Sequence, residues 1–199
     1  MMASLGPSPL RKVLVLGGGD GGVATVALKY PMVELLQVEI DERVIQMSKR
    51  FFPHFSAAFT DQRHKLVVGD AVRWVEDHAH EMQSTFDLCI IDSTDEPLES
   101  VWSISFYQRL KSMLTPHGAI VQNIGSQTDL LADFRSLHQP VFQKRYLINC
   151  LTGEGSYSCQ VNGAKRNHRP SLISYDMPVR RRLPFQALPC THISKDSGL

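Results

Sequence analysis

The stretch Val13-Leu14-Val15-Leu16-Gly17-Gly18-Gly19-Asp20-Gly21-Gly22, with Val38-Glu39-Ile40-Asp41 after it, decides the fold. Four apolar residues run into a glycine turn that opens a helix. An acidic pair closes the next apolar run roughly 20 residues on, the spacing of a ribose-binding carboxylate in a βαβ unit. The pattern is that of a nucleoside site. Asp20 inside the glycine turn is the unusual part, because a carboxylate there repels a phosphate and attracts a cation. This points away from a dinucleotide and toward a positively charged nucleoside, a sulfonium of the S-adenosylmethionine type.

Working outward, apolar runs alternate with helical stretches. Strands are expected over 12–16, 33–39, 65–68, 86–92 and 119–122, and helices over 22–29, 41–51, 71–81, 103–114 and 128–138. The first, fourth and fifth runs are continuously apolar, as strands buried on both faces of a parallel sheet are. Two later segments, 142–151 and 155–165, flank turn signals at Thr152-Gly153-Glu154-Gly155 and predict a hairpin at the sheet edge. From about Asn167 prolines and the basic run Arg180-Arg181-Arg182 break any period. The expected division is therefore a Rossmann-like catalytic domain over 1–166 and an irregular basic tail over 167–199, read as a solvated extension.

The 199 residues, 43% of them hydrophobic, suffice for one α/β core. A formal net charge of +1 gives no case for nucleic acid, and no apolar run approaches the 18 residues of a membrane span. The opening Met1 to Pro9 lacks the features of a signal peptide, and Cys89, Cys150, Cys159 and Cys190 show no CxxC spacing. Reduced thiols and a cytoplasmic location are expected. His78 and His80 sit two apart on a helix and share no face, so no metal site is expected. His117 reads as a surface loop residue, while Trp74, Phe51 and Phe52 read as packing residues.

Ligands of open α/β sheets bind at the carboxyl ends of the strands. Four such ends carry acid: Gly17-Gly18-Gly19-Asp20, Glu39-Ile40-Asp41, Gly69-Asp70-Ala71 and Asp92-Ser93-Thr94-Asp95. One carboxylate of this kind commonly caps the helix that follows, and Asp41 reads more readily that way than as a ligand contact. Four together argue for a site. The glycines allow close backbone approach, Glu39 can accept from both ribose hydroxyls, and Asp70 sits where an adenine amino group can donate. Gln122, ending the fifth strand, is either a polar wall of the site or a plain strand-end residue.

Gly17-Gly18-Gly19-Asp20-Gly21-Gly22, Glu39-Ile40-Asp41, Phe51-Phe52-Pro53, Gly69-Asp70-Ala71, Asp92-Ser93-Thr94-Asp95 and Ser105-Phe106-Tyr107 resemble the polyamine aminopropyltransferases, the spermidine synthases above all, in order and spacing across residues 11–125. The resemblance implies an α/β, class I methyltransferase-type, mostly parallel seven-strand sheet with helices on both faces. It also implies that the aminopropyl group of decarboxylated S-adenosylmethionine passes to putrescine, giving spermidine and methylthioadenosine. The donor is a co-substrate, and no other cofactor and no metal is implied. On this resemblance Asp92 is the general base, and Asp92 with Asp95 and Gln122 holds the polyamine. Asp20 holds the aminopropyl ammonium, Glu39 the ribose, and Asp70 with Ala71 the adenine. Ser93 and Thr94 shape the turn.

Three features depart from the family pattern. A small β-rich domain normally precedes the glycine strand and supplies a tyrosine and glutamines, which are expected to be lacking here. The lid after Asp95, reading Glu96-Pro97-Leu98-Glu99-Ser100-Val101-Trp102, is short and carries an extra acid. The usual late tyrosine is replaced at best by Tyr157. Small-molecule substrates are the expected partners, with a homodimer left open. A methyltransferase of the same fold, and a catalytically impaired nucleoside-binding paralogue, are the alternatives.

Overall fold

The computed structural model describes residues 10–93, 103–122 and 137–142 in full, and 123, 144–149 and 156–161 as backbone. Five strands form a parallel ladder: β1 (Lys12–Gly17), β2 (Glu34–Glu39), β3 (His64–Val68), β4 (Phe86–Asp92) and β5 (Leu114–Asn123). Their order across the sheet is β3-β2-β1-β4-β5. The order continues into β7 (Ser156–Val161) and then β6 (Lys144–Asn149), each paired antiparallel with its inner neighbour. The sheet thus holds seven strands, five in a parallel ladder and two added as an antiparallel edge hairpin.

The register explains why these runs are so apolar. Val13, Leu14, Val15 and Leu16 are all buried, and alternate residues feed opposite cores. Leu14, Leu16, Cys89, Ile91 and Ile120 pack on one face with Trp74, Val75, Phe106, Tyr107, Leu110 and Met113. Val13, Val15, Leu35, Leu88, Ile90 and Val121 pack on the other with Ala24, Ala27 and Leu28. The helices behind these contacts are α1 (Gly22–Ala27), α4 (Ala71–His78) and α5 (Ile104–Met113), with α2 (Glu42–Phe51) and the short α3 (Pro53–Ser56) beside the first. Burying each large aliphatic or aromatic side chain contributes about 1.5–3 kcal/mol, so the two cores dominate stability.

Helix ends follow local chemistry. Asp41, Asp70 and Ser103 cap α2, α4 and α5 through side-chain oxygens that accept backbone N–H bonds. After α1, Arg63 donates to the carbonyl oxygens of Leu28, Tyr30 and Pro31 and to Asp61, fastening the chain where it turns toward β2. Pro53 opens α3 at a position where its missing N–H costs nothing.

The structure departs from expectation in places. β5 begins at Leu114, not 119, because Leu114 already pairs with Phe86 before a bulge restores the register at Leu88 and Ala119. His117 is exposed yet lies within this strand's span. Phe51 and Phe52 are not core: both are more than half exposed, since α2 turns Ile45 and Ser48 inward. Trp74 is a packing residue, stacked on His78, and Cys89 is a free, buried thiol. Of the helix expected over 128–138, only 137–138 falls within the described residues. The basic tail over 167–199, Cys150 and Cys190 lie outside them, and so does the Cys159 side chain. Among the described residues no helix is long and apolar enough to cross a membrane.

The Tyr107 hydroxyl donates to Gln122 Oε1 at 2.8 Å between two buried side chains. Tyr107→Phe leaves that buried oxygen without its donor and should lower stability by about 1–2 kcal/mol, read as a shifted urea midpoint with unchanged slope.

Candidate functional site

The sheet order reverses direction between β1 and β4, and the crevice of such a fold opens there, beyond the carboxyl ends of the strands. A cleft of about 400 Å³ occupies that position. Gly17, Gly18, Gly19, Asp20, Glu39, Asp70, Ala71, Asp92 and Ser93 all line it. Eight residues singled out for a ligand, from three strand ends and the start of α4, thus meet in one cavity.

The glycine turn is shaped by contacts a side chain would block. Gly17, Gly18 and Gly21 have positive φ. A Cβ on Gly17 would fall 2.2 Å from the Asp92 carbonyl oxygen, and one on Gly19 would fall 2.8 Å from Glu39 Oε2. The Gly18 amide donates to the Asp92 carbonyl at 2.8 Å. The turn and the end of β4 therefore form one packed unit.

Three of the carboxylates share a mode of attachment. Asp20 Oδ1 accepts from the Gly22 amide at 2.9 Å. Glu39 Oε1 accepts from the Asp41 amide at 2.9 Å. Asp70 Oδ1 accepts from the amides of Val72 and Arg73 at 2.8 and 3.4 Å. In each case one oxygen is fixed to nearby backbone, and the second takes none of these bonds. The ion pairs found among the described residues, Arg43 with Asp41, Arg63 with Asp61 and Arg109 with Glu76, include none of the three. Asp92 reaches the rim at the end of β4, half-buried, one residue from the buried Ile91.

Asp41 points elsewhere. Its side chain caps α2 and forms a two-point pair with Arg43, Oδ1 to Nε at 3.0 Å and Oδ2 to Nη2 at 2.8 Å. Gln122 does not line the cleft; it is buried and engaged with Tyr107. Its position next to Ile91 in the β4–β5 register turns it into the layer covered by α5. Asp95, Thr94 and the lid through Trp102 lie outside the described residues, as does the Tyr157 side chain.

Sequence reading missed the apolar part of the cavity: Val38, Ile40, Val44, Val72, Ile91 and Phe106 also line it. Ile40 and Val72 are adjacent in sequence to Glu39 and Ala71, a signal that was available. It missed Gln37 too. That side chain is fully buried, and its Nε2 donates to the carbonyls of Gly17 and Gly18 at 2.8 and 2.7 Å. A lone polar residue in an apolar strand was its only mark.

Comparison with known proteins now bears on this geometry. Residues 2–153 match the family model of the spermine/spermidine synthase domain. The chain is 42% identical over 121 residues to a polyamine aminopropyltransferase of Thermoplasma volcanium, covering 60% of this chain and 43% of that one. It is 39% identical over 117 residues to spermidine synthase of Schizosaccharomyces pombe, covering 58% and 38%. The crystal structure of spermidine synthase from Thermotoga maritima superposes with a TM-score of 0.69 at 26% identity, covering 81% of this chain and 57% of that one. The chain thus spans less than half the length of these curated relatives.

The Arg43 guanidinium and amide hold the Asp41 carboxyl down from its ordinary 3.8 to about 2. A depressed carboxylate contributes stability that is complete above its ordinary value and lost as pH falls through the folded one. The α2 cap should therefore weaken between about pH 4 and 2, with an Asp41 carboxyl NMR titration centred near 2. A midpoint near 3.8 would mean that the cap does not form.

Proposed function

The chain belongs to the spermine/spermidine synthase domain family, and on that premise we propose that it transfers an aminopropyl group from decarboxylated S-adenosylmethionine to putrescine. One observation carries the reading: Asp20, Glu39, Asp70 and Asp92 converge on a single cleft with apolar walls. Such a cavity suits a cationic nucleoside and a cationic amine together.

The roles proposed are those the family resemblance implies, and the cleft lining supports them. Glu39, fixed through Oε1, offers its other oxygen to the ribose hydroxyls. Asp70 and Ala71 face the adenine edge, with Ile40, Val44 and Val72 beside its ring. Asp20, at the mouth of the glycine turn, meets the aminopropyl ammonium. Asp92, held against that turn, takes the proton of the attacking amine, and Asp95 completes the diamine site. The amine nitrogen forms a bond to the aminopropyl carbon as the carbon–sulfur bond breaks. The sulfonium leaves as a neutral thioether, methylthioadenosine, and the proton passes to Asp92. The donor arrives activated, so the reaction calls for alignment and a base rather than a metal or a covalent enzyme intermediate. An alkyl ammonium has a pKa of about 10.4, so a base is needed near neutrality.

The same reading includes a cytoplasmic location. It also includes a homodimer, supported by the adjacent exposed rings of Phe51, Phe52 and Phe55.

Two measurements test the proposal. Calorimetry should show decarboxylated S-adenosylmethionine binding more tightly than the intact form, whose extra carboxylate lies near Asp20; Asp20→Ala should shrink that preference. In an assay of spermidine formation, Asp92→Asn should lose on the order of 100-fold or more in turnover. Preference for the intact donor, or methyl transfer without spermidine, would overturn the assignment.

A further inference from the structure

We infer that Gln37 is a positioning residue for the nucleoside end of this site. It sets the height of the glycine turn against β2 and thereby the relation of Glu39 to Asp92. The inference rests on the function proposed above and assigns a part of its machinery that does not touch the ligand cleft.

Three observations carry it. First, the turn is fastened from both sides. On one side the Gly18 amide donates to the Asp92 carbonyl of β4. On the other, both Nε2 protons of Gln37 from β2 go to the Gly17 and Gly18 carbonyls, at 2.8 and 2.7 Å. Gly18 also closes the turn itself by accepting from the Gly21 amide at 2.9 Å. One carboxamide therefore joins two consecutive peptide units whose positive φ values leave them no side chain to hold them in place.

Second, Gln37 and Glu39 lie two apart on one strand and project to the same face. Gln37 holds the first two glycines from below, and Glu39 Oε2 lies where a Cβ on Gly19 would come within 2.8 Å. Strand β2 thus sets the ribose carboxylate and the turn beneath it in one rigid register.

Third, Gln37 is an expensive choice. Its Oε1 is buried with no hydrogen-bond partner among the described residues. An unpaired buried acceptor costs about 1–3 kcal/mol, which an apolar residue of similar size would avoid. Leu35, two residues earlier on the same face of β2, shows what packing alone asks for here. What the carboxamide adds is its two N–H donors, and both are spent on the turn.

The test uses the full chain and 5′-methylthioadenosine as probe, titrated by calorimetry beside thermal melting. Gln37→Met keeps the length and volume but has no donor, and should bind the probe about tenfold or more weakly, the effect of about 1.4 kcal/mol. Gln37→Glu, which turns an acceptor toward two carbonyls, should bind more weakly still. Tyr107→Phe serves as the comparison, a loss of stability on the far face with unchanged affinity. If Gln37→Met is merely less stable and binds like Tyr107→Phe, the inference fails while the proposed function stands. If the native chain itself binds no nucleoside, the proposed function fails and this inference with it. Should both variants fail to fold, NMR of the native chain decides. The Gln37 carboxamide protons should resist exchange and shift when the probe is added; rapid exchange or unmoved signals would overturn the inference.

Discussion

The site depends on one close contact, the backbone of Gly17 lying on the carbonyl of Asp92. At φ +89 a Cβ would stand 2.2 Å from that oxygen. No rotamer relieves a backbone collision of this kind, so glycine is a condition of β1 and β4 ending at the same level. The register pairs Gly17 with Asp92 directly, and the Gly18 amide then reaches the Asp92 carbonyl. The proposed base and the proposed nucleoside turn consequently move as one body. Alignment of two reactants can lower a barrier by several kcal/mol only if their cradles do not drift relative to each other.

On this frame stand several carboxylates of like charge along one cleft. Several acids on one apolar-walled cleft therefore repel one another until a cation enters. The anchoring is a partial answer. Asp20, Glu39 and Asp70 each accept backbone amide bonds through one oxygen, which holds the charge in place without neutralising it. None of the three takes an arginine partner among the described ion pairs, whereas Asp41 and Asp61 do.

The elements most legible in the sequence were those in which local chemistry and tertiary packing agree. The buried run of β1, the glycine turn, the acid at the end of β2 and the Asp70 cap each show in a few adjacent residues. Where packing overrides local pattern, reading the chain was less successful. Phe51 and Phe52 look like core and are exposed, because the phase of α2 is set by Ile45 and Ser48. Gln122 looks like a strand-end polar residue of the site, but its pairing with Ile91 turns it under α5, where Tyr107 claims it. The start of β5 was hidden by a bulge. Gln37 was invisible for a different reason: its partners are main-chain carbonyls some 20 residues away, which carry no side-chain signature.

Several costly features of the molecule meet at one rim. The positive-φ glycines 17, 18 and 21 and the unpaired Oε1 of Gln37 all lie at the carboxyl ends of β1 and β2. Ile40, 69% exposed, adds an apolar side chain to that edge, where it lines the cleft. Each departs from what stability alone would select, whereas the two cores of the sheet are packed as regularly as the strand pattern promises. The backbone entropy lost at the glycines, a buried acceptor without a partner among the described residues and an exposed isoleucine have separate costs, but a flat nucleoside would draw on all of them at once. It needs backbone within touching distance, a carboxylate held at a set height and an apolar surface against its ring. That coincidence of costs, more than any one residue, separates a binding rim from the ordinary end of a parallel sheet.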